Sequence, residues 1–142
     1  MRNITEIIIH CTATPAGRSV GVADIDREHR RRGFRCIGYH YLVELDGRVC
    51  AGRAESEIGA HCLGHNACSI GVAYAGGLDS AGRPADTRTD AQRLALRGLV
   101  GELCRRYPKA SVHGHREFAA KACPCFDAAA EYGALQKGGV TQ

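Results

Sequence analysis

The chain contains no tryptophan, only 6% aromatic residues and a single methionine. Its basic clusters, Arg27 to Arg32 and Arg105-Arg106, therefore have no aromatic ladder between them. They read as solvated helix faces, and no nucleic-acid partner is predicted. Long apolar runs are also missing. The longest early one, Ile7-Ile8-Ile9, is flanked by Glu6 and His10 and is too short for a signal h-region. A spanning helix needs about 20 apolar residues, so no membrane insertion is predicted. There is no internal repeat, linker or low-complexity block. The net charge of +4 is mild.

What is present suits one globular domain. The 142 residues fall within the roughly 100–200 of a single core, and 44% hydrophobic with 24% charged residues excludes disorder. Residues 1–136 are expected to form this domain, and 137–142 a frayed tail. Eight cysteines and seven histidines stand out. Without an export signal the chain is expected to be made in a reducing cytoplasm, where thiols and a metal site are expected before disulfides.

The residue pattern predicts an α/β fold of the α+β type. Ile4 to Ile9 is a buried strand ending at His10. Cys11 to Gly21 is a loop, and Val22 to Arg32 a helix stopped by Gly33. Tyr39 to Leu45 and Arg48 to Gly52 are strands joined at Asp46-Gly47, a two-residue hairpin signal. Ala54 to Ala67 is a long surface loop, and Ser69 to Ala75 a further strand. Thr89-Asp90-Ala91-Gln92 is a capping box that opens the best helix, which ends at Pro108. Ala110 to Val112 is the last strand and Phe126 to Leu135 a terminal helix. This order predicts a mixed central sheet with helices packed on its faces.

Three chemistry-bearing residues sit where strands give way to loops: His10, His115 and Cys123. Two imidazoles and a thiolate are a zinc ligand set that leaves the fourth position open, as catalytic zinc sites do. With this many His and Cys, spacing alone would yield such a triple by chance.

The surrounding words are more specific. They run Ile8-Ile9-His10-Cys11-Thr12-Ala13-Thr14, Gly38-Tyr39-His40-Tyr41, Ala51-Gly52-Arg53, Ser69-Ile70-Gly71-Val72, and His115-Arg116-Glu117-Phe118 with Lys121-Ala122-Cys123-Pro124. In this order they closely resemble the phage-lysozyme-type N-acetylmuramoyl-L-alanine amidases, amidase type 2, relatives of the peptidoglycan recognition proteins. The resemblance covers residues 4 to 132. It implies one Zn2+ on His10, His115 and Cys123 with water in the fourth position, and Tyr39 and Lys121 as catalytic residues. It implies hydrolysis of the amide between N-acetylmuramic acid and L-alanine in peptidoglycan, an anionic partner that the mild positive charge suits. An amide is a poor electrophile and water a poor nucleophile, and zinc answers both. Tyr39 can hydrogen-bond the attacking water or the developing oxyanion, and Lys121 can stabilise that oxyanion as a fixed cation.

The remaining histidines and cysteines read as structural. His29 is a core or supporting residue, His40 faces away from Tyr39, and His113 is structural. His61 is either groove-lining or an exposed loop residue. Cys36, Cys50 and Cys104 are small buried hydrophobes, and Cys62 and Cys68 bridge only in an oxidising setting. Cys125, two places after the ligand cysteine where the family often has a small residue, is either an innocent loop thiol or a competitor for zinc. If it closed the site, a structural zinc domain would result. A non-catalytic peptidoglycan-binding module on the same fold is the other alternative. Arg35, Arg53 and Arg116 are candidates for contacting a stem-peptide carboxylate. Lacking a signal peptide, the enzyme is expected to reach the wall as a phage or prophage endolysin, through a holin-type pore.

Overall fold

The computed structural model describes the backbone of residues 2–141 and the side chains of 2–136. The element order is β1 (Glu6–Cys11), β2 (Thr14–Pro15), α1 (Val22–Arg31), β3 (Tyr41–Val43), β4 (Val49–Ala51), β5 (Ser69–Tyr74), β6 (Gly77–Leu78), α2 (Asp90–Arg106), β7 (Ser111–Gly114) and α3 (Ala128–Thr141). Five strands form one mixed sheet in the order β4-β3-β5-β1-β7, and β2 and β6 pair separately. Within the main sheet β3, β5, β1 and β7 run parallel and only β4 is antiparallel. The expected mixed sheet with helices on its faces is what forms. Residues 137–141, expected to belong to a frayed tail, continue the backbone of α3, and Gln142 lies outside the described residues.

Alternation along the two central strands divides the molecule. Successive strand residues point to opposite faces. Ile7, Ile9 and Cys11 of β1, with Ile70, Val72 and Tyr74 of β5, join Leu96, Val100 and Leu103 of α2 and Tyr132 of α3 in the larger core. On the other face Ala73 packs with Leu42, Val20, Ile37 and Ile25 of α1 in a smaller core. That second face of β5 carries only small residues, Gly71 and Ala73, followed by Ala75. It is the face on which His10 projects beside α1.

Local chemistry explains most element boundaries. Gly33, at φ +99°, ends α1 in a conformation a side chain would resist. At α2 the Gln92 N–H donates to Thr89 Oγ1 at 3.0 Å, and the Thr89 N–H donates to Gln92 Oε1 at 2.9 Å, so the expected capping box is present. The hairpin differs from expectation. The Glu44 N–H donates to Arg48 O and the Gly47 N–H to Glu44 O, leaving three loop residues instead of two. Gly47, at φ +89°, takes the left-handed position of that wider turn. The strands are also shorter than predicted, with Tyr39 just ahead of β3. The terminal helix starts at Ala128 and not at Phe126, which is buried in the core. No helix among the described residues is long and apolar enough to cross a membrane.

Candidate metal centre

His10 lies one residue before the C-terminal end of β1, and His115 directly follows β7, the neighbouring parallel strand. Both imidazoles thus emerge at the same edge of the sheet. The turn after His115 returns the chain so that Cys123 reaches them. One donor atom from each of His10, His115 and Cys123 lies within 4.8 Å of the others, the one such cluster among the described residues. The turn is held by Tyr74, whose hydroxyl donates to Pro124 O at 2.7 Å.

The surroundings shift each donor toward the protonation state a metal requires. Burial holds the His10 imidazole well below its ordinary range, helped by neighbouring His61 and His115, so it is neutral. Burial and then Lys121 lower His115 as well. The Cys11 thiol, as a hydrogen-bond partner, shifts Cys123 downward, and the Cys11 backbone N–H donates to Cys123 Sγ at 3.1 Å. Burial pushes Cys125 the other way, to about 11. Its thiol donates to Gly77 O at 3.5 Å, outside the three-donor cluster. Two imidazoles shifted toward their neutral form and a thiol shifted toward its thiolate suit the donor set zinc prefers, and three protein donors leave a position free. The residues present therefore fit the ion.

A cavity of about 640 Å³ opens over this cluster, lined by His10, Tyr39, His61, His115, Lys121 and Cys123 among others. It adjoins a second cavity of about 540 Å³ against α1, and Thr12, His29, Arg32 and Tyr39 line both. The Tyr39 ring lies 5.1 Å from that of His10 and 5.2 Å from that of His29. Burial and then the Cys123 charge raise the Tyr39 phenol, which keeps its proton and can donate it. Lys121 is an exposed residue at the rim. The structure thus brings together all five residues singled out in the sequence: His10, Tyr39, His115, Lys121 and Cys123.

The other histidines separate as expected, with one addition. His29 Nδ1 accepts from the Gly38 N–H at 2.8 Å, and His40 Nδ1 from the Gly71 N–H at 3.0 Å. His113 lies against Ser111 and Glu117. His61 lines the cavity and also touches the His10 ring, a contact that sequence spacing did not suggest. Its nearest sequence signal is Gly71, which leaves room for a ring over β5.

Two of the three arginines considered as candidates for a carboxylate contact are already engaged. Arg53 is buried and donates to the carbonyls of Ile37, Ile58 and Cys36. Arg35 pairs with Glu57 at 2.5 Å. Arg32 instead lines both cavities, with its guanidinium 5.2 Å from the Phe34 ring centre. Cys36 and Cys50 are half-buried rather than buried, and Cys50 lies on the edge strand β4. All eight cysteines are free thiols.

A family model described as N-acetylmuramoyl-L-alanine amidase matches residues 1–126. The endolysin of Klebsiella phage KP32 is 42% identical over 123 residues, covering 87% of this chain and 82% of that protein. A peptidoglycan-recognition protein of Drosophila melanogaster is 35% identical over 123 residues, covering 83% of this chain and 66% of that one. Among solved structures, the N-acetylmuramoyl-L-alanine amidase LysC from Clostridium intestinale superposes with a TM-score of 0.78 at 26% identity. The match covers 98% of this chain and 86% of that one.

Proposed function

Because the chain belongs to the N-acetylmuramoyl-L-alanine amidase family, we propose that it hydrolyses the bond between N-acetylmuramic acid and L-alanine in peptidoglycan, using one zinc ion. The single observation that carries this reading is the convergence of His10, His115 and Cys123 at the floor of a cavity that Tyr39 and Lys121 also line. The amidase activity is assigned to residues 1–136 as one domain. The phage endolysin relatives support an endolysin role for this chain, and its passage to the wall through a holin-type pore is part of the same proposal.

His10, His115 and Cys123 would hold the ion. When bound, zinc supplies the Lewis acidity that activates water and polarises the scissile carbonyl. The chain's own groups do the rest. Tyr39 keeps its phenolic proton and donates it to the oxygen on which charge develops. Lys121 places a fixed positive charge at the same cavity. The Cys11 N–H donates to Cys123 Sγ, a contact that favours the thiolate form.

The deciding experiment incubates the purified chain with a defined muropeptide, with and without a chelator. Release of free stem peptide that the chelator abolishes is the expected result. Binding of the muropeptide without release would replace the enzyme with a recognition module. Neither binding nor release would leave a structural metal site.

A further inference from the structure

We propose that His61 is a positioning residue that fixes the tautomer and orientation of His10 for metal binding. The inference rests on the zinc reading above and deepens it. His61 is not one of the three clustered donors. Its Nδ1 instead lies 2.8 Å from His10 Nε2, with the two rings nearly perpendicular at 86° and centroids 4.9 Å apart. A ligating imidazole gives one nitrogen to the metal, and the hydrogen bond made by the other decides which. With Nε2 turned to His61, Nδ1 is the His10 nitrogen left for the ion. The His10 Nε2–H then donates to His61 Nδ1, which places the His61 proton on Nε2. That N–H faces Ser69 Oγ at 3.2 Å, which accepts it. The three side chains form a short relay from the metal edge of the sheet back to the start of β5.

In many metal sites this supporting place is taken by a carboxylate or a backbone carbonyl. Here the partner is a neutral imidazole. It fixes the ring without adding negative charge to a centre where Cys123 already supplies a thiolate.

The surroundings are shaped to hold that ring. Asn66 Oδ1 accepts from the backbone N–H groups of both His61 and Cys62, each at 2.9 Å, which pins the loop. A Cβ at Gly71 would lie 2.6 Å from the His61 ring, and one at Gly59 would lie 2.7 Å from it. Both positions would have to shift to admit any side chain. A histidine that merely lined a groove would need neither clearance nor a bond to a ligand residue.

The test uses the full chain and reads metal binding directly. His61→Asn keeps an acceptor near the position of Nδ1, whereas His61→Leu has a similar shape without one. Each metal-free variant is titrated with Zn2+ against a competing chromophoric chelator, and its Co2+ absorption spectrum is recorded. Loss of such a supporting bond typically weakens metal affinity about 10–100-fold. His61→Leu is expected to fall in that range with an altered Co2+ spectrum, and His61→Asn to recover most of both. Thermal unfolding of the metal-free proteins separates any effect on folding. If His61→Leu does not fold, Gly71→Ala, which displaces the ring, takes its place and is expected to weaken zinc in the same way. Equal zinc affinity in the wild type and His61→Leu overturns the role of His61 and leaves the zinc reading intact. Equal losses in Asn and Leu also overturn it, because they indicate packing and not the hydrogen bond. A wild-type chain that binds no zinc overturns both readings.

Discussion

At the scale of single residues, the site separates groups that hold an ion from groups that act on substrate. Tyr39 and Lys121 line the cavity but stand outside the donor cluster, so their removal should spare the metal. Tyr39→Phe and Lys121→Ala are each expected to lower turnover by about 10²–10³ with zinc content unchanged. Turnover on a muropeptide and metal analysis of the same samples check this, and full turnover in either variant removes that residue from the mechanism. Cys125→Ser is expected to change neither zinc content nor turnover, since the Cys125 thiol is pushed up to about 11 and donates away from the cluster to Gly77 O. The five residues of the site were legible because each sits inside a word of several residues. His61 was legible only as a groove-lining candidate. Its contact with His10 spans 51 positions and depends on the path of the loop that carries it.

At the scale of elements, the legible features were those written in local chemistry. The Thr89–Gln92 box and Gly33 each act within a few residues, and the structure places both as expected. Thr89 does more than cap, because its hydroxyl also donates to Leu45 O at 2.7 Å and ties α2 to the β3–β4 hairpin. Thr89→Ala is expected to cost about 1 kcal/mol or somewhat more. Urea unfolding should show a lower midpoint at unchanged slope. The turn at Asp46-Gly47 is wider than the dipeptide predicts because a left-handed glycine serves both two-residue and three-residue hairpins. Which one forms is set by the pairing of Glu44 with Arg48, and the dipeptide does not report it. Strand β5 is the opposite case. Its alternation of Ile70, Val72 and Tyr74 with Gly71 and Ala73 puts large apolar side chains on one face and only small residues on the other, against which α1 and the His61 ring pack.

At the scale of the whole molecule, α3 packs against α2 and β7, the strand that leads into His115, and must be held there. Beside the apolar packing of Ala128 and Tyr132, Arg88, a residue with no local signal, ties α3 to the fold. Its guanidinium is buried, stacks 3.4 Å from the centre of the Phe126 ring and donates to Tyr132 Oη at 2.9 Å. It also pairs with Asp86 at 2.9 Å and with Glu131 of α3 at 2.8 Å. The Arg88 hydrogen bond is the main reason the Glu131 carboxyl sits below its ordinary range. Burial raises Asp86, but its hydrogen bonds from Arg88 outweigh that and leave it lowered too. A carboxylate whose folded value is depressed adds stability that is fully present above its unfolded value, about 4. That stability is lost as pH falls through the lower folded value, because the unfolded chain binds more protons there. Urea unfolding from pH 7 to pH 3 should therefore show stability falling below about pH 5. Arg88→Met removes the cation that depresses both acids. It should be less stable than wild type at pH 7, where Glu131 loses its paired cation and Asp86 keeps only Arg93 at 3.2 Å, and the difference should shrink as the two acids are protonated. Parallel pH profiles for the two proteins would show that Arg88 does not link α3 to the fold through charge.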